Sequence, residues 1–186
     1  MYHQYAPFMK EFQRNIQTGG SLLYSWNIGL GTNFAGTYAY YLASPVYWLM
    51  GLLPSQYVPE CMAVFIILKA GLMSATFAYY VQSHYGKRSF LSGAFGIFYA
   101  MSSYMAAYSW NVMWLDCLVL LPLITLGLER LVKEKKVILY TVTLGLSVLS
   151  NYYISIMICI FLIFYFVYLL ICEMKQRDSY DVLHRI

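Results

Sequence analysis

Four apolar stretches, each close to membrane-crossing length, constrain the fold of this chain more than any other feature. They cover residues 61–81, 90–108, 116–132 and 154–172, and a transmembrane helix needs about 20 predominantly apolar residues. Hydrophobic residues make up 61% of the chain and charged residues only 11%, whereas soluble domains contain about 25% charged residues. We therefore predict an all-α membrane protein, a polytopic helical bundle of about four spans.

The distribution of charge predicts how the bundle is oriented. Basic residues lie between the apolar stretches and in alternate loops, at residues 87–88, 133–136 and 175–177. Because cytoplasmic loops carry an excess of Lys and Arg, we expect a multi-pass cell-membrane protein whose N-terminal region is extracellular. The net charge of +4 forms no basic patch, so we expect no nucleic-acid partner. The predicted parts are an extracellular loop with amphipathic helices at 1–58, a transmembrane bundle at 59–174 and the start of a cytoplasmic loop at 175–186.

The extracellular loop is predicted to contain surface helices rather than spans. Apolar side chains recur every three or four residues over residues 4–18, a pattern typical of an amphipathic helix that lies on a surface or packs on a neighbour. Residues 38–53 are apolar but interrupted by proline, which indicates an interfacial or re-entrant segment. Gly29 and Gly31 lie in a polar loop that is either a plain turn or a phosphate-cradling loop, and the lack of a preceding strand favours the turn. The polar face of the first helix comprises Lys10, Glu11, Gln13, Arg14 and Asn15.

Two charged residues lie in or beside the apolar stretches. Asp116 stands at the start of one of them, and placing an ionised Asp in hydrocarbon costs about 2.5–3.5 kcal/mol. It should therefore lie at the interface, be paired, or serve a function. Trp110 and Trp114 are four residues apart and would share one face of a helix, although an interfacial aromatic belt explains them equally well. Lys69 lies inside the first span, where it is either paired, snorkelling, or directed at a cavity that would suit a phosphate.

Several short motifs, in this order and spacing, resemble the bacterial YfhO family from about residue 2 to residue 172. They are Gln4-Tyr5-x-Pro7-Phe8, Tyr24-Ser25-Trp26-Asn27-x-Gly29-x-Gly31-x-Asn33, Tyr40-Tyr41-Leu42-x-Ser44-Pro45, Trp114-x-Asp116, Leu121-Pro122-Leu123, Gly127-x-Glu129 and Ser150-Asn151-Tyr152-Tyr153.

This resemblance implies a GT-C-like membrane glycosyltransferase. Such enzymes transfer a sugar from a polyprenyl-phosphate carrier to an acceptor outside the cytoplasm, here a teichoic-acid-like cell-envelope polymer. The family places a first spanning helix and an acidic residue ahead of the long outer loop, whereas this chain opens with Met1-Tyr2-His3. We therefore expect an N-terminal fragment that lacks the first helix and the family's catalytic Asp, and that is inactive alone.

The resemblance suggests roles for several residues. Asp116 is the best acidic candidate in the chain, as a catalytic acid, as an acceptor-orienting group or as a ligand of a divalent cation such as Mg²⁺ or Mn²⁺. The departing polyprenyl phosphate needs charge stabilisation, which a cation or a basic side chain supplies. The candidate substrate-binding residues are His3, Gln4, Trp26, Asn33, Lys69, Trp110, Trp114 and Asn151.

Two other classes of function fit the same residues. A lipid or polymer transporter would need Lys69 and could dispense with Asp116, and transferase chemistry predicts closer to the reverse. In a non-catalytic membrane scaffold, replacing Asp116 or Trp114 would affect stability alone.

Overall fold

The structure, a computed structural model, describes the backbone of residues 5–183 and the side chains of residues 5–175. It confirms an all-α membrane bundle, with one two-stranded hairpin as the sheet found in this part of the chain. The regular elements are α1 (Tyr5–Thr18), β1 (Tyr24–Ser25), β2 (Thr32–Asn33), α2 (Phe34–Thr37), α3 (Val58–Tyr85), α4 (Phe90–Ala100), α5 (Ser103–Tyr108), α6 (Leu115–Glu134), α7 (Ile138–Ser150) and α8 (Tyr152–Leu183). A π-helical turn at Tyr38–Leu42 and 3₁₀ helices at Pro45–Leu52, Ser55–Tyr57 and Val112–Trp114 complete the fold.

Four segments of the described chain are long and apolar enough to cross a membrane: Ser55–Tyr85, Phe90–Tyr108, Val112–Glu134 and Tyr152–Lys175. The first is longer than its apolar stretch suggested, because α3 begins with a proline in its first turn and ends where Gly86 adopts a left-handed conformation at φ 66°. Proline is favourable at a helix start because its φ is already helical and its missing N–H would have no partner there. Glycine is favourable just past the end because it adopts positive φ without a steric penalty. The second segment is not continuous, since α4 and α5 are separated at residues 101–102.

Helix α6 is the centre of the bundle. In its most apolar window 67% of the residues are buried, compared with 22–28% in the other three spans. It packs against α3, α7 and α8, whereas α4 packs mainly on α3. Two acidic residues near its ends, Asp116 and Glu129, are both buried. Their partners must therefore come from the surrounding helices.

Gly127 allows α6 and α7 to approach each other backbone to backbone. A methyl group at this position would lie 2.7 Å from the backbone nitrogen and Cα of Tyr140. We therefore expect Gly127→Ala to lower the free energy of unfolding by about 1–3 kcal/mol through overpacking, measured by unfolding in detergent. Gly145→Ala on α7 is the matched control, because open space surrounds that position and alanine is the better helix former. Equal effects of the two changes would contradict the close approach.

Residues 5–57, which we call the roof, pack on one end of the bundle. Helix α1 buries Met9 and Phe12 against the 3₁₀ helix that contains Tyr47 and Met50. The amphipathic helix is present, but its polar face is not simply solvated, because Glu11, Gln13 and Asn15 are buried. The burial of Gln13 is explained by its amide, which donates to the carbonyls of Met50 at 2.8 Å and Leu53 at 2.5 Å.

The glycine-containing loop of the roof is a turn, as expected, but the expectation that no strand precedes it is wrong, because the loop connects two short antiparallel strands. Tyr24 pairs with Asn33 and Ser25 with Thr32. Gly31 takes φ 105°, and a Cβ there would collide with the hydroxyl of Tyr24. The apolar segment that follows forms the π-helical turn and the first 3₁₀ helix, and neither is among the four candidate spans.

Candidate functional site

A buried ion pair joins two spans to the roof. The ammonium of Lys69 on α3 lies 2.8 Å from Asp116 Oδ2 at the start of α6. It also donates to the backbone carbonyl of Val112 at 3.0 Å and to Ser44 Oγ at 3.3 Å. The ring of Tyr47 lies 4.7 Å from the same nitrogen, a distance at which a cation is attracted to an aromatic face. Lys69 is fully buried, so every one of its donors must find a partner within the protein.

Local helix geometry places the two charges together. Asp116 lies in the first turn of α6, where the helix dipole stabilises a carboxylate. Lys69 is about 17 Å along α3 from Val58, at about 1.5 Å per residue. The roof residues Ser44 and Tyr47 reach down to this level, because they contact the lysine directly. Of the alternatives left open for Lys69, the structure shows the paired one.

Asp116 is enclosed, but not completely. Its side chain is 11% exposed, and Lys69 engages Oδ2. Among the described residues, no three His, Cys, Asp or Glu side chains come together in an arrangement that could hold a metal ion. A cation at Asp116 would therefore need additional ligands from the substrate, water or other parts of the protein.

The three candidate tryptophans lie in different surroundings. Trp114 is half-buried between Tyr108 and Tyr153, and its indole nitrogen is buried without a hydrogen-bond partner among the described residues. Trp110 is 49% exposed and donates to the carbonyl of Ala107. The expectation that Trp110 and Trp114 share a helix face is wrong, because the 3₁₀ helix begins only at Val112. Trp26 is on the hairpin and is 76% exposed.

The candidate asparagines hold backbone in place. The side chain of Asn33 caps α2 by accepting from the backbone nitrogen of Gly36 at 3.3 Å. Asn151 is fully buried between α7 and α8. Its Oδ1 accepts from the backbone nitrogen of Ile154, and its Nδ2 donates to the carbonyl of Tyr40 in the roof. The junction of α7 and α8 is thus at the same end as the roof. His3 and Gln4 lie outside the described residues.

The sequence singled out no site around Glu11, yet its carboxylate is buried and organises one side of the roof. It accepts from Arg14 Nη2 at 2.7 Å and Nε at 3.1 Å, and from Ser25 Oγ at 2.6 Å. These hydrogen bonds, that of Arg14 above all, hold the pKa of the Glu11 carboxyl below its usual range, although burial acts in the opposite direction. The carboxylate is therefore ionised at neutral pH. A cavity of about 430 Å³ borders this group.

A second buried carboxylate, Glu129, lies toward the other end of α6. Its Oε1 accepts from the hydroxyls of Tyr80 at 3.0 Å and Tyr165 at 2.6 Å. Its Oε2 lies 2.8 Å from Nδ1 of His84. The cluster connects α3, α6 and α8. A glutamate within an apolar span was the available signal, although in the sequence Glu129 stood out only as part of a family motif.

Comparison with known proteins agrees with the architecture. The family described as bacterial membrane protein YfhO matches residues 1–185. No curated protein and no solved structure matches the chain. The family match covers nearly all of the sequence, including every span and the roof. The chain therefore belongs to the YfhO family of bacterial membrane proteins.

Proposed function

We propose that this protein is a membrane glycosyltransferase that moves a sugar from a polyprenyl-phosphate carrier to a teichoic-acid-like polymer on the outer face of the membrane. The observation that carries the proposal is the roof, a folded aromatic layer joined to the bundle through the Lys69–Asp116 pair. A structured layer at one end of the spans provides a place where a lipid-linked headgroup meets a polymer. The alternating basic loops support an extracellular location for the roof.

Asp116 is our candidate for the chemistry in this proposal. Lys69 engages Oδ2, so proton transfer or binding of Mg²⁺ or Mn²⁺ would use Oδ1. Lys69 is fully buried and its donors are engaged by Ser44, Val112 and Asp116, so a bound cation would have to stabilise the departing phosphate. Trp110 and Trp114 flank this end of α6 and are the aromatic surfaces for the sugar or the carrier. Asn151, whose amide holds the roof backbone, would position the site rather than contact substrate.

A transporter is the second candidate, and the two buried acidic clusters of α6 favour it, since intramembrane ionisable groups often mark transport pathways. Because Lys69 and Asp116 form one pair, replacing only one of them cannot separate a transferase from a transporter. Removing either partner leaves the other charge buried and unpaired, which is strongly destabilising. Single substitutions therefore disrupt both kinds of protein.

The decisive experiment expresses the full-length gene product in a strain that lacks the gene and quantifies sugar on the envelope polymer. We expect the deletion to remove the sugar and the unmutated gene to restore it. Asp116→Asn and the double variant Lys69→Met/Asp116→Leu are compared at equal membrane levels. The double variant removes the pair without leaving a lone charge, so loss of the sugar at normal membrane levels would show that transfer needs the Lys69–Asp116 pair itself.

Two other outcomes would change the proposal. Restoration of the sugar by the double variant would make the pair a structural link and leave the chemistry to other residues. An unchanged polymer in the deletion strain would contradict the transferase function itself and favour transport.

A further inference from the structure

Charged side chains are scarce in the roof, and those present are gathered at one place. Residues 15–59 contain no Asp, Glu, Lys or Arg, whereas about 25% of the residues in a typical soluble domain are charged. Among residues 5–58 the charged side chains are Lys10, Glu11 and Arg14. All three line the same cavity of about 430 Å³, together with Phe8 and Asn27.

Glu11 holds the polar wall of this cavity in a fixed geometry. Its carboxylate receives two hydrogen bonds from the Arg14 guanidinium, an arrangement that adds geometric specificity to the charge pair. Ser25 donates to Oε1 at 2.6 Å, and the Asn27 amide lies 3.2 Å from both carboxylate oxygens. Helix α1 and the hairpin are therefore locked together around the cavity.

The charge balance of the cavity is positive. Arg14 neutralises Glu11, and Lys10 is exposed at the cavity wall. No acidic residue between Asn15 and Pro59 is available to compete for it. The volume falls within the range of about 300–1,000 Å³ typical of small-ligand sites.

We propose that the cavity between α1 and the hairpin binds a phosphate ester, with Lys10 supplying the uncompensated positive charge and Asn27 a neutral hydrogen-bonding amide, beside the Arg14–Glu11 pair. A phosphate ester could come from a lipid headgroup or from a soluble phosphorylated molecule, and the recognition chemistry is the same. The site shares no residue with the Lys69–Asp116 pair and does not rest on the proposed transferase activity. It would hold an anionic group at the surface of an otherwise uncharged layer.

The test measures the thermal unfolding midpoint of the full-length protein in a nonionic detergent. One arm titrates inorganic phosphate, and the other titrates phosphatidylglycerol in mixed micelles with phosphatidylcholine as the reference lipid. We expect a saturable rise of the midpoint in at least one arm, since a ligand that binds the folded state stabilises it. A rise with phosphate alone identifies a soluble ligand, and a rise with phosphatidylglycerol, with or without a rise with phosphate, identifies a headgroup.

Matched variants locate the binding site. Lys10→Gln should weaken the apparent affinity about fivefold, the upper range for one solvent-accessible charge contact, and Lys10→Arg should retain it. Lys136→Gln removes the same charge from an exposed pair with Glu134 after α6 and should leave the affinity unchanged. The proposal is overturned if neither arm raises the midpoint, if chloride at equal ionic strength gives the same rise, or if Lys10→Gln and Lys136→Gln behave alike.

Discussion

Replacing Lys69 with methionine is expected to lower the free energy of unfolding by about 3–5 kcal/mol, because the change leaves the Asp116 carboxylate buried without its counter-charge. The same change removes donors to Ser44 and to the carbonyl of Val112. The loss of these contacts should therefore weaken the attachment of the roof to the bundle. Unfolding in detergent measures the loss, and Lys87→Met in the exposed loop after α3 is the control.

The double variant Lys69→Met/Asp116→Leu should recover most of that stability. It replaces the pair with apolar side chains of similar volume, which is often neutral or stabilising for buried ion pairs. If Lys69→Met alone unfolds like the unmutated protein, the lysine is not compensating a buried carboxylate. If the double variant is less stable than either single variant, the interaction with the roof outweighs that with Asp116.

Replacing Glu129 with alanine should destabilise the opposite end of the bundle by about 3 kcal/mol. The change leaves the hydroxyls of Tyr80 and Tyr165 without their acceptor, and each unsatisfied buried donor costs about 1–3 kcal/mol. It also removes the partner of His84. Unfolding in detergent is again the measurement.

Two further substitutions make the Glu129 prediction specific. Glu129→Gln retains an acceptor oxygen and should cost less than Glu129→Ala. Glu134→Ala on the same helix removes a carboxylate that is 47% exposed and paired only with Lys136 among the described residues. Because exposed ion pairs contribute about 0–1 kcal/mol, that variant should be nearly neutral. Equal losses for Glu129→Ala and Glu134→Ala would contradict the role of burial.

The sequence was sufficient to predict the bundle because the spans follow from local apolar length, as the four observed segments show. It located Lys69 and Asp116 as unusual charges but left their pairing open. The two residues are separated by 47 positions, and their contact depends on how α3 packs against α6. No local pattern encodes that packing.

The same reason explains the buried polar residues of α1. Helical periodicity placed Glu11 and Gln13 on the polar face of α1, because periodicity describes only the helix itself. Apart from Arg14 on the same helix, their partners lie later in the chain, in the hairpin and at the end of the first 3₁₀ helix. The only sequence signal was the absence of charge between Asn15 and Pro59, which left α1 as the sole carrier of charge in the roof.

The depth of Lys69 has a consequence for biosynthesis. The lysine is about 17 Å along α3 from Val58, and it is synthesised well before Asp116, 47 positions later. A lysine at the centre of an inserting helix costs about 2.5–3.5 kcal/mol. The apolar residues of the segment, whose most apolar 18-residue window has a mean hydropathy of 1.9, must offset this cost. Until α6 leaves the ribosome, the nascent α3 carries an uncompensated charge. Helix α3 therefore reaches its final position in the bilayer only after the third spanning segment has been synthesised.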